Sequence, residues 1–226
     1  MYRFYRLVKQ LPGVGPLINM LLRLARSLFW KYRPVGVLQD EPPEEFLRFI
    51  SDHLNDRSEF TLIEVGAGDG RTLRRLALQY PAARFIGIDI QRAAVLAGIA
   101  RASALGIKNI DLKCVSCLDD TIEWACDFLI SRTSLIYLSR EQTEEFFRKR
   151  IPKIRQGMLF EEIISLTGQT QRSHFFAHPL PEIIERFSEG NFLANVTFLD
   201  YIPWKAESRW SGAKLSFTRI DASKSP

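Results

Sequence analysis

The chain has 226 residues, 46% of them hydrophobic and 25% charged, which is the balance of a folded globular domain and excludes disordered, collagen-like and membrane-embedded classes. One good core with one appendage fits this length, and two full domains would be cramped. The net charge is +5, yet Arg3, Arg6, Lys9, Arg23, Arg26, Lys31 and Arg33 all precede the first acidic residue, Asp40, so the remainder carries about −2. The basic character belongs to an N-terminal arm and not to a groove across the body, and no nucleic-acid partner is expected.

Residues 1–39 form that arm, and the main domain spans 40–226. From Leu17 to Trp30 the run LINMLLRLARSLFW is apolar around most of a helical circumference, with Asn19, Arg23 and Arg26 on a narrow polar face. Such an amphipathic helix would rise roughly 21 Å, too short to cross a bilayer. Three readings stand side by side: a helix lying on an anionic membrane surface, a helix capping the protein's own core or a partner's, and an Arg-rich, acid-poor organelle signal. The location expected for the whole is cytoplasmic, with peripheral membrane attachment through the arm as the variant.

From Pro42, PPEEFLRFISDHL reads as a helix with acids near its start. Then come strand TLIEVG, helix RTLRRLALQY, strand ARFIGIDI, helix QRAAVLAGIARASALG, strand NIDLKCV, a helical or loop segment at LDDTIEWA, strand CDFLISR, helix SREQTEEFFRKRIPKI and strand GMLFEEII. Strands alternating with helices predict a parallel sheet. Past Thr167 the pattern gives a long polar loop, a helix from Pro181, and two strands, NVTFLDYIPW and AKLSFTRIDA, whose short connection predicts an antiparallel hairpin. Cys114, Cys117 and Cys126 are an odd set; Cys114 and Cys117 form a CxxC with no second pair, which reads as buried strand-end thiols in a reducing compartment and not as a metal site.

The first strand runs into Glu64-Val65-Gly66-Ala67-Gly68-Asp69-Gly70, and the second ends at Gly87-Ile88-Asp89-Ile90. Alternate glycines allow a sharp bend that a ligand can approach closely, and the next helix aims its first amides there. An acid about 20 residues on can accept both hydroxyls of a ribose, so the pattern makes a slot for an adenosine derivative. A dinucleotide turn would need a third glycine where Arg71 stands.

A GxGxG turn preceded by a strand acid resembles the class I S-adenosylmethionine-dependent methyltransferases, over roughly Phe60 to Ile163. The resemblance implies an α/β, Rossmann-like, seven-stranded sheet, mostly parallel with a C-terminal antiparallel hairpin and helices on both faces, with S-adenosylmethionine as cofactor. It implies that Glu64 orients the cofactor's amino group, that Gly66, Ala67, Gly68, Asp69 and Gly70 pass beneath it, that Asp89 grips the ribose, and that Ile90 packs on the adenine. Ser116 or Cys117 falls where the family commonly has an acid for the adenine amino group, a departure for which Asp119 is a substitute or else a helix cap. The segment Ser131-Arg132-Thr133-Ser134-Leu135-Ile136-Tyr137 would line the methyl-transfer site, Ser131 touching the cofactor.

Tyr137, His174 and His178 are the candidate catalytic or acceptor-contact residues, the histidines on the loop after the fifth strand; of Glu161 and Glu162, one is expected to face the pocket. Pro179 keeps the two histidines off one helical face, so no metal is expected. The segment SRTS lacks the (N/D/S)PP(Y/F) tetrad of nucleic-acid amino-methyltransferases, and Arg132 would repel a cation, leaving a neutral or anionic small-molecule or lipid-linked acceptor. The alternatives are an inactive adenosine-binding scaffold and a nicotinamide-dependent oxidoreductase.

Overall fold

The computed structural model describes residues 44–54, 57–166, 170–172, 175–199 and 210–220. The arm, the boundary at residue 40 and His174 lie outside the described residues. No described helix is long and apolar enough to cross a membrane.

The first described element is helix α1 (Glu44–Leu54), which buries Phe46, Leu47, Ile50 and Leu54 at three-to-four-residue spacing. The alternating body follows: β1 (Thr61–Val65), α2 (Arg71–Gln79), β2 (Arg84–Asp89), α3 (Arg92–Ala104), β3 (Ile110–Cys114), β4 (Cys126–Arg132), α4 (Arg140–Arg150), β5 (Ile154–Ser165). After it come β6 (Thr170–Arg172), β7 (Phe175–Pro179), α5 (Leu180–Glu189), β8 (Phe192–Phe198) and β9 (Trp210–Arg219). Strands β1 to β5 pair in parallel in the spatial order β3-β2-β1-β4-β5. Next, β9 runs antiparallel along β5 from Gly157 to Ser165, and β8 closes the edge antiparallel to β9. The predicted seven-stranded sheet with its terminal hairpin is therefore present.

The parallel strands β1, β2, β4 and β5 are buried almost throughout because both sheet faces are covered there, whereas the edge strand β3 buries only Leu112. On one face Leu62, Phe85, Phe128, Ile130 and Leu159 pack under α1 and α2. On the other, Ile63, Ile86, Leu129, Met158 and Phe160 pack with Phe146, Phe147 and Phe187 of α4 and α5. The chain enters α4 through a capping box in which Ser139 Oγ accepts from the Gln142 amide and Gln142 Oε1 accepts from the Ser139 amide.

The polar loop expected past Thr167 is instead partly a two-stranded insertion, β6 with β7. Strand β4 leaves β5 at Glu161, while β5 continues to Ser165. Its other edge is covered by β9, so the free length of the β4 edge takes Ile164↔His178 and Ser165↔Pro179 as a parallel pair. His178 thus belongs to a strand and not to a loop, and LDDTIEWA is loop without a helix. The cysteine expectation is met only in part: Cys126 is buried and Cys117 half-buried, but Cys114 at the end of β3 is exposed, and all three are free thiols.

Candidate functional site

Parallel register brings one end of each strand to a common rim: Val65 pairs Ile88 and Ser131, Asp89 pairs Cys114, and Arg132 pairs Glu161. At this rim β1 bends. The amides of Gly66 and Ala67 both donate to the Ile88 carbonyl, at 2.8 and 3.1 Å, and Gly66, Gly68 and Gly70 all have positive φ. Gly66 is required on two counts: its φ is +74°, and a side chain there would collide with the hydroxyl of Ser134.

Asp89 faces the bend. Its Oδ2 accepts from the Gly68 amide at 2.8 Å and its Oδ1 from the Gln91 amide at 2.7 Å, fixing the carboxylate beside the glycines. Burial pushes its pKa up, against those backbone hydrogen bonds. Ile90 next to it is half exposed, an apolar surface at the rim. The Val115 amide donates to the Asp89 carbonyl at 3.0 Å, which draws Ser116 and Cys117 to the same corner. Ser116 is exposed and its hydroxyl accepts from the Leu118 amide; burial pushes the Cys117 thiol up to about 11, so it is uncharged near pH 7. Asp119 turns away to Thr121, whose amide and hydroxyl both reach its Oδ1.

Glu64, one residue before Val65, is 4% exposed, and its pKa is pushed up to about 8, first by burial and opposed by a hydrogen bond from Thr72. Its Oε2 has no hydrogen-bond partner. A buried acceptor left unpaired costs on the order of 1–3 kcal/mol, so it marks a place where a donor belongs. Helix α2 starts at Gly70 with no capping side chain and no acid in its first turn, leaving its first amides to whatever sits in the bend. An orphaned carboxyl oxygen, a glycine cradle and a fixed carboxylate fit the ammonium, backbone and ribose of an amino-acid nucleoside.

Several expected site residues are used elsewhere. The Asp69 carboxylate is 4% exposed and is held by Arg71 at 3.2 Å, by Arg74 at 3.6 Å and by Arg101, so its side chain ties α2 and α3 to the bend. The backbone of Asp69 lies so close to Gly98 of α3 that any side chain at 98 would collide with the Asp69 carbonyl. Ser131, expected to touch the cofactor, is fully buried and its hydroxyl donates to Glu162 at 2.8 Å.

His178 is 6% exposed, and burial lowers its pKa, which leaves it neutral near pH 7. Its Nε2 is 3.0 Å from the Leu135 carbonyl, which can only accept, so Nε2 carries the proton. It lines a groove of about 290 Å³ between α4 and α5 with Arg140, Phe147 and Ile183, and that groove includes no residue of the glycine bend. Tyr137 lies on the short turn Leu135–Tyr137, half-buried against Ile136, Ile163 and Ala177. Arg132 pairs with Glu161 at 3.0 Å, so its charge is balanced within the protein and is no longer a bare cation that would repel a cationic acceptor.

The sequence reading missed Thr72, the partner of Glu64, and passed over Gly98, although an isolated glycine within a helical pattern is itself a signal of close approach. Among the described residues no group of three His, Cys, Asp or Glu side chains is placed to hold a metal.

Residues 62–157 match the model of a methyltransferase domain. With the sheet order and the glycine bend, this gives residues 62–157 the features of a class I S-adenosylmethionine-dependent methyltransferase domain. Two curated proteins named tRNA (guanine-N(7)-)-methyltransferase are similar. The one from Magnetococcus marinus is 27% identical over 46% of this chain and 45% of its own length. The one from Actinobacillus pleuropneumoniae serotype 5b is 25% identical over 63% of this chain and 58% of its own. The chain spans about half the length of these curated relatives. Among solved structures, geranyl diphosphate C-methyltransferase from Streptomyces coelicolor A3(2), in complex with Mg2+, geranyl diphosphate and S-adenosyl-L-homocysteine, superposes with a TM-score of 0.65. Its identity is 14%, over 78% of this chain and 79% of that one.

Proposed function

We propose that the protein transfers the methyl group of S-adenosylmethionine to a small-molecule acceptor. The observation that carries this reading is the Asp89 carboxylate fixed on the Gly68 amide, because it sets a ribose-gripping acid beside a bend that only glycines can make. In this reading Glu64 takes the amino group on its free oxygen, Gly66 to Gly70 provide the floor, Asp89 holds the ribose hydroxyls, and Ile90 with Ser116 and Cys117 lines the adenine. Bound S-adenosylmethionine would supply a methyl on a sulfonium, which an acceptor lone pair would take as the sulfur–carbon bond breaks to a neutral thioether. The protein's contribution is alignment and exclusion of water, and the turn from Ser131 to Tyr137 forms the wall on the acceptor side.

Calorimetry with S-adenosylmethionine and with NAD tests the cofactor: binding of NAD alone would replace this reading with an oxidoreductase. Labelled methyl donor incubated with polar and lipid extracts then identifies the acceptor. A lipid-linked acceptor gains support from the apolar, Arg-bearing pattern of Leu17 to Trp30. Reversing Arg23 and Arg26 to Glu in the full chain should then reduce co-sedimentation with anionic vesicles, and unchanged pelleting removes the membrane surface.

A second reading, a tRNA acceptor, is favoured by the names of the curated relatives and by the seven cations of the arm. The missing PP tetrad concerns exocyclic amines and does not bear on a ring nitrogen with its own lone pair, which needs no base. Label appearing in added total tRNA, and not in the small-molecule pool, would decide for it.

A further inference from the structure

The turn after β4 carries more constraint than its sequence requires for chain reversal. Thr133 has φ +49°, a left-handed conformation that a β-branched residue adopts only under compulsion. On one side its amide donates to the Glu161 carbonyl at 2.7 Å. On the other, Glu162 Oε1 accepts three hydrogen bonds, from Ser131 Oγ at 2.8 Å, the Ser134 amide at 2.9 Å and the Leu135 amide at 3.1 Å. Glu162 is 4% exposed and comes from β5, so the turn is bound from a different strand than the one it leaves. The product of this arrangement is the position of Ser134, whose side chain sits against Gly66 at the floor of the cofactor bend.

We propose that Glu162 is a positioning residue for methyl transfer: its Oε1 holds the strained turn Ser131–Leu135 in the form that seats Ser134 against Gly66 and so sets the wall of the cofactor site. This rests on the methyltransferase reading above. A purely structural acid would not need its three donors gathered on one oxygen while Oε2 stays buried and unpartnered, and Glu162 lines a small cavity with Leu135, Phe147, His178 and Ile183. Burial raises the Glu162 pKa to about 7 and the neighbouring Glu161 charge adds to this, while the three donors oppose it. The donors thus act to keep the acceptor charged form in a place that disfavours it.

The test uses the full chain with Glu162→Gln, Glu162→Leu, Thr133→Gly and the Glu162→Leu/Thr133→Gly pair. Two readouts are taken, S-adenosylmethionine affinity by calorimetry and amide hydrogen exchange of the 131–138 segment, which needs no ligand. Glu162→Leu should speed exchange at Ser134 and Leu135 but not in β1, and weaken S-adenosylmethionine binding by on the order of tenfold, the scale of a hydrogen bond to a charged group. Glu162→Gln, which keeps an acceptor oxygen, should lose less. Because glycine adopts the left-handed conformation freely, Thr133→Gly should restore much of the affinity lost in Glu162→Leu. Unchanged exchange and affinity in Glu162→Leu would overturn the proposal, as would an affinity loss that Thr133→Gly leaves untouched. A wild-type chain that binds no S-adenosylmethionine would overturn the methyltransferase reading instead, and the positioning role with it, even if exchange showed the turn held by Glu162.

Discussion

The carboxylate of Asp89 accepts the amide proton of Gly68 at 2.8 Å across 21 residues of chain, so the end of the second strand and the glycine bend are one rigid unit. Both carboxylate oxygens face backbone donors, from Gly68 and Gln91. Asp89→Asn presents an NH2 to one of those amides, and an unmatched donor pair costs about 1.5–3 kcal/mol where a charged group was the acceptor. The expected outcome in calorimetry is a loss of S-adenosylmethionine affinity by one to two powers of ten, with a smaller fall in Tm.

Glu64 gives a pH signature. Folded, its pKa lies near 8 instead of 4.5, so between those values the native state holds a proton that the unfolded chain has released. Stability then falls as pH rises through that window, because the unfolded state binds fewer protons there. Glu64→Gln should flatten this part of the Tm-against-pH curve. An ammonium at Oε2 favours the ionised carboxylate, so binding S-adenosylmethionine at about pH 7 should release most of one proton, and at about pH 9 little. Calorimetry in buffers of different ionisation enthalpy reads the release, which Glu64→Gln should abolish.

What could be read in the sequence was what is written locally. Parallel strands covered on both faces are short apolar runs, and the Gly66–Gly70 bend and Asp89 punctuate two of them, so the sheet and the corner where the bend meets Asp89 were legible. The arginine cluster on Asp69 was not legible, because its partner Arg101 lies 32 residues away on α3 and no local pattern marks a carboxylate that ties two helices together. His178 was misplaced for a topological reason: β7 exists because β5 outruns β4, which QTQRSHFFAH alone does not reveal. Glu162 was half legible, as one of two acids ending an apolar strand, but its three donors come from the turn after another strand.

The Asp69 cluster predicts a stability defect and not a binding one. Asp69→Asn leaves Arg71 and Arg74, 13% and 12% exposed, without the charge that holds them together with Arg101. Breaking a buried charged cluster on one side costs about 3 kcal/mol, which for a domain of this size is roughly 6–12 °C in Tm. S-adenosylmethionine affinity, measured well below the new Tm, should change less than in Asp89→Asn.

Two glycines separate backbone strain from collision. Gly66 and Gly106 have nearly the same φ, +74° and +68°, but a side chain at 106 meets nothing within 4 Å, whereas at 66 it runs into Ser134. Gly106→Ala should therefore cost only the left-handed conformation, on the order of 1–2 kcal/mol of stability, with S-adenosylmethionine affinity unchanged. Gly66→Ala pays that cost and must also displace Ser134 from the rim, so its affinity should fall at least tenfold, beyond what its Tm loss accounts for. Equal affinities in the two variants would mean that the contact between Gly66 and Ser134 has no part in shaping the cofactor site.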